Sequence, residues 1–176
     1  MIDITTTSFG LLIAYLLPGL ATLFGLSYWV PELRSLFNAF LSGESNLGLF
    51  LLVAMASIVA SLQVTLIRWY IFEEHLCRKH RLTPKDFEGL RAAGRFGAFG
   101  AAVDAHYRYH QFWGSMTVAL PILFAGWARQ HEIFSNLWQG ILLLVVFLAL
   151  EWLTGMGAYQ AYVNYVNRAK HIMKGG

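Results

Sequence analysis

Charge is what this sequence has least of. Of 176 residues, 13% are Asp, Glu, Lys or Arg, against 57% hydrophobic and 15% aromatic. An average soluble domain carries about 25% charged residues. A short chain exposes a large share of its surface, and half the usual charge does not cover a soluble globule. The mean hydropathy of +0.51 points the same way. The composition argues against a soluble enzyme, a disordered tail or a disulfide scaffold, and predicts an integral membrane protein. Cysteine is nearly absent too: Cys77 stands alone. That excludes an intramolecular disulfide and a zinc site built from several cysteines. The first eight residues contain Asp3 and no Lys or Arg, so the basic start of a secretory signal is missing, and the first apolar segment is expected to stay in the mature protein. With Ile2 after Met1 and the ending His171-Ile-Met-Lys-Gly-Gly176, neither myristoylation nor prenylation is expected. Also lacking are a P-loop, a G-x-S-x-G elbow and a Ser-His-Asp arrangement. Gly94, Gly97 and Gly100 recur every third residue, which is not the dinucleotide spacing, and no predicted strand precedes them.

What is present is apolar sequence in long runs. A bilayer core about 30 Å thick needs ~20 mostly apolar helical residues. Four stretches qualify, at about 9–30, 47–67, 112–128 and 137–163. Pro121 in the third predicts a kink, because neighbouring helices re-satisfy the freed carbonyl. The expected fold is an all-α integral membrane protein, one membrane domain over 1–176. It is a four-transmembrane-helix bundle with a helical cytoplasmic loop, 68–111, between spans 2 and 3.

The basic residues are unevenly placed. Loop 68–111 holds eight Lys and Arg and the tail three, whereas 31–46 and 129–136 hold one each, Arg34 and Arg129. The positive-inside rule puts the eleven in the cytoplasm. Four spans then place both termini there, in a bacterial-type inner membrane. The basic pI of about 9.1 is thus a topology signal, and nucleic acid is not an expected partner. Tyr28, Trp29, Trp127 and Trp138 fall at the predicted outer interface, and Trp69, Tyr70, Phe112 and Trp113 at the inner one, as amphipathic rings do.

Lipid gives helices no hydrophobic reason to associate, so small and weakly polar faces mark the contacts. Tyr15, Gly19, Thr22 and Gly25 share a face of the first span, and Ala54, Ser57 and Ser61 a face of the second. Glu151, Thr154, Gly155, Ala158 and Tyr162 share one of the fourth. These faces predict a bundle, and a homo-oligomer is expected. In the loop, Trp69 to His80 is expected to prolong the second span as a helix, with Glu74 and Arg78 as an i,i+4 pair. Thr83-Pro84-Lys85-Asp86 has the residues of a new helix start. Phe96, Phe99, Val103 and Tyr107 would share a face of the following helix.

Two features carry candidate chemistry. Glu151 sits near the middle of the fourth span, where an acid costs ~3 kcal/mol and usually faces the bundle interior. Gln63 and Thr117 reach a similar depth, and Arg68 lies deeper toward the cytoplasm. The alternatives are a packing role for a protonated or hydrogen-bonded Glu and an ion, proton or substrate role. The second feature is Asp104-Ala-His-Tyr-Arg-Tyr-His-Gln111. His106 and His110 lie one helical turn apart, a spacing that suits a metal. Two ligands do not make a zinc site, and a third, His75 or His80, would come from elsewhere. The alternative is an interfacial segment with Asp104, His106, Arg108 and His110 at the headgroups. No cofactor is expected.

No catalytic constellation is visible, and one basic loop is large enough to dock a partner. The expected function is a non-enzymatic membrane subunit, oligomeric, that couples a cytosolic or membrane protein to the bilayer through 68–111 or forms a small pore. Two other readings stay open: a small transporter or ion channel using Glu151, and a membrane-embedded enzyme with a site at His106 and His110.

Overall fold

A computed structural model describes residues 4–42, 47–84, 87–88 and 96–174. The fold is all-α, with no strand among the described residues. Among the described residues, six α-helices form its frame, apart from the helical residues at 84 and 87–88: α1 (Ile4–Ser27), α2 (Pro31–Leu41), α3 (Leu47–Arg68), α4 (Phe96–Ala102), α5 (Arg108–Gln130) and α6 (Leu137–Lys174). Two π-helical segments join them. Trp69–Leu76 prolongs α3 and Val103–Tyr107 leads from α4 into α5. The helix start predicted over Thr83–Asp86 reaches its first helical residue at Pro84, and Lys85, Asp86 and Gly94 lie outside the described residues.

Helix α1 packs against both α3 and α5, and α5 also packs against α6. The small faces make this possible. A Cβ on Gly19 would overlap the Ser57 carbonyl oxygen, and one on Gly25 would stand 2.7 Å from the Leu123 backbone. Across the α5–α6 seam, Phe124 stacks on Phe147 with centroids 4.1 Å apart. Helix α5 runs unbroken through Pro121.

The structure departs from the sequence reading at several element ends. Residues 31–41, read as loop, form α2. Pro31 occupies its first turn with Glu32, the preferred places for a residue without an N–H and for an anion. Its Phe37 is buried against Phe24, 5.3 Å between ring centroids. Arg34 of α2 donates a hydrogen bond to the Gln130 side chain at the end of α5, so α1 and α5 finish at the same end of the bundle. The helix beginning at Leu137 runs to Lys174, well past the predicted limit near Val163. Glu74 pairs with Arg81 at 2.9 Å, not with Arg78. The intervening π-helical turn and the 3-10 turn Arg78–His80 break the α spacing on which the i,i+4 expectation rested.

Among the described residues, two helices are long and apolar enough to cross a membrane, Leu47–Leu76 and Leu137–Met173, and Ala14–Ser27 is a shorter apolar helix. In the first two, only 22% and 6% of the most apolar stretch is buried within the protein.

Candidate functional site

The densest polar constellation lies at the end of the bundle where α3, α5 and α6 meet. Arg68, the last residue of α3, is 2% exposed. Its Nη1 donates to Glu73 Oε1 at 3.0 Å and to His110 Nε2 at 2.8 Å. Tyr107 donates its hydroxyl to the same Glu73 oxygen at 3.2 Å. His110, fully buried, donates from Nδ1 to the Ala158 carbonyl at 2.9 Å.

The geometry follows from the backbone. In a π-helix the hydrogen bonds run from i to i+5, so residues five apart stack. Arg68 and Glu73 have that separation, as do Tyr70 and His75, whose Nδ1 donates to the Tyr70 carbonyl at 2.8 Å. Gly114, one turn beyond His110 on α5, leaves the space that the Arg68 stem fills. A Cβ there would lie 2.9 Å from Arg68 Cγ and Cδ.

The partners also bear on the state of His110. A carbonyl only accepts and a guanidinium only donates. These contacts fit the tautomer with its proton on Nδ1, whose Nε2 accepts from Arg68. Aromatic rings close the cluster: Phe72 and Tyr162 stand 5.8 and 4.9 Å from the imidazole, centroid to centroid. Beneath it, Cys77, Tyr162 and Val166 form a buried core with Leu82, Tyr107, Tyr159 and Tyr165 against it. Burial, reinforced by the Glu73 carboxylate, pushes the Tyr107 phenol up to about 12. The same two causes push the Cys77 thiol up to about 11. Cys77 is 0% exposed, and the thiolate is the reactive form. A maleimide near neutral pH should therefore leave Cys77 unlabelled in the folded protein and modify it after denaturation. Rapid labelling of the folded chain would contradict this placement.

His106 and His110 do not act as a pair. The π-helical segment Val103–Tyr107 ends between them and shifts the register. His110 enters the buried cluster, while His106, half-buried, lines a different groove of about 990 Å³. That groove runs between α4 with its π-helical continuation and the far end of α6, with Asn164, Asn167, Arg168 and His171 on the α6 side. Asp104 belongs to the same π-helical segment and Arg108 opens α5. His75 and His80 stand elsewhere, the latter 3.5 Å from the Tyr159 hydroxyl. Among the described residues, no three His, Cys, Asp or Glu side chains gather in a metal-binding group.

Glu151 and Thr117 come together, and Gln63 does not join them. The first two line a groove of about 490 Å³ bounded by α5, α6 and the π-helical extension of α3, whereas Gln63 is exposed on α3. Arg68 is held by Glu73 and His110, not by Glu151. The Glu151 Oε2 atom is buried with no hydrogen-bond partner among the described residues. The Arg68–Glu73–His110–Tyr107 cluster escaped the sequence reading. Its only visible signal was an Arg at the foot of an apolar run followed five residues later by Glu. The chain matches no family model, no curated protein and no solved structure.

Proposed function

We propose that the chain is a four-span protein of a bacterial-type inner membrane, with both termini on the basic, cytoplasmic side. It acts as an oligomeric, non-enzymatic subunit that docks a cytosolic partner. Exposed apolar flanks support the membrane setting. A soluble protein rarely leaves apolar patches larger than a few hundred Å². Here Leu142, Val145, Leu148, Trp152 and Leu153 of α6 are each more than half exposed. Span order and charge agree: α1 and α5 end together, and along the sequence eleven of the thirteen Lys and Arg fall in 68–111 and the tail.

The docking reading rests on the length of α6. Its 38 residues extend about 57 Å, nearly twice a bilayer core of about 30 Å. The surplus is a rigid arm. Asn164, Asn167, Arg168 and His171 recur along it at i, i+3, i+4 and i+7, and they face the groove shared with His106. Such a face suits an acidic protein segment. Deleting 84–100, or reversing charge with Arg168→Glu, should abolish co-purification of the partner while membrane insertion persists. A full-length chain that purifies as a monomer with nothing bound would sink the reading.

A second reading, a small transporter or channel, is favoured by one observation: the unpartnered Glu151 carboxylate oxygen inside an apolar groove.

A further inference from the structure

We propose that the lateral groove around Glu151 binds a hydrophobic organic monocation, a phosphonium or quaternary ammonium carrying aryl or alkyl groups. The inference rests on the membrane reading above for the ligand's route, and it deepens the second of the two functions.

The ligand's charge follows from Glu151. Among the described residues, no group serves its buried Oε2 atom. The hydroxyls nearby are committed elsewhere: Thr117 donates to the Trp113 carbonyl at 2.9 Å, and Thr154 to the Glu151 main-chain carbonyl at 2.8 Å. Arg68, the guanidinium of the adjoining cluster that shares Phe72 with the groove, belongs to Glu73 and His110. A carboxylate left unpaired in an apolar setting demands a counter-charge or a proton.

The walls decide which cation. Ile71, Leu76, Leu148 and Met156 give an apolar lining, and the rings of Trp152 and Tyr159 stand beside it. A sodium or calcium ion needs a shell of oxygen ligands to replace its water, and a single carboxylate does not supply one. An organic cation with its charge spread under hydrocarbon needs no such shell. It also gains from aromatic faces. At about 490 Å³ the groove has the size of a small-molecule site. It opens sideways: Leu76, Leu148 and Trp152 are 57%, 55% and 69% exposed. A ligand thus arrives from the bilayer, which selects molecules that partition there.

A proton competes for the same carboxylate. The titratable groups facing the groove are Glu151 and Tyr159 of α6. The α3 extension contributes Ile71, Phe72 and Leu76, and α5 contributes Thr117, none of which titrates. Binding should therefore weaken as pH falls.

The probe is tetraphenylphosphonium, titrated calorimetrically into the full chain in detergent and in neutral phosphatidylcholine nanodiscs. The expected result is saturable binding, one per chain. It should drop at least 10-fold in Glu151→Gln, survive in part in Glu151→Asp and weaken several-fold in Trp152→Ala, a lipid-facing change that spares the core. The uncharged triphenylphosphine oxide should show partitioning alone. Equal affinity for wild type and Glu151→Gln, or no saturable binding by wild type, overturns the proposal. Carbonate extraction of the cell membranes from which the chain is purified separates the two ideas. An extractable chain defeats the membrane reading, whereas an inserted chain that ignores the cation defeats only this one.

Discussion

Glu73→Ala should destabilise the protein by about 3–5 kcal/mol, the loss expected when one partner of a buried ion pair is removed. Arg68 is 2% exposed and Glu73 15%, so water does not repair the damage. The substitution strands a guanidinium among Phe72, His110 and Gly114. It also removes the acceptor of Tyr107. His110 does not take over, because its Nε2 already faces Arg68 and brings no negative charge. The double variant Arg68→Met with Glu73→Leu should cost less than Glu73→Ala alone. Apolar replacement of a whole buried pair is often neutral or better. The Tyr107 hydroxyl loses its acceptor in both variants, and the penalty peculiar to the double is one unmet acceptor on His110, about 1–3 kcal/mol. Thermal unfolding in a single detergent, followed by tryptophan fluorescence, reads all three proteins. Wild-type stability in Glu73→Ala would show that the cluster does not hold this end of the bundle.

Gly19→Ala should cost about 1–3 kcal/mol or more through overpacking. The new methyl would land on the Ser57 carbonyl oxygen. Backbone does not rotate away as a side-chain tip does, so α1 and α3 must part, and α1 also packs along α5. Gly97→Ala is the matched control. Gly97 lies inside α4, and a Cβ there meets nothing within 4 Å. It should be neutral or gain up to about 1 kcal/mol in helix propensity. If both alanines behave alike in unfolding experiments, the close α1–α3 approach is wrong.

Much of the candidate site was hidden from the sequence for a definable reason. Periodicity at 3.6 residues marks which apolar residues share a face, and it marked Gly19 with Gly25 and Ser57 with Ser61. It has no sensitivity to a π-helical turn. Arg68 and Glu73 stack only because the turn is widened, and the same widening parts His106 from His110. Helix α2 was missed because its apolar positions, Leu33, Leu36, Phe37 and Phe40, are too few to span a membrane and were weighed only for that.

The helical class, the placing of the long apolar helices and the one-sided distribution of Lys and Arg are all properties of the sequence by itself. Each is a local sum, over a window of residues, of hydropathy, helix propensity or charge. The tertiary structure decided what the few polar groups do. Arg68 meets His110 across 42 positions and His110 meets Ala158 across 48. Among the described residues the Glu151 Oε2 atom has no partner, while Thr117 and Thr154 are bonded to main-chain carbonyls. Which charge is paired and which is stranded depends on how α3, α5 and α6 pack, and no window along the chain contains that information.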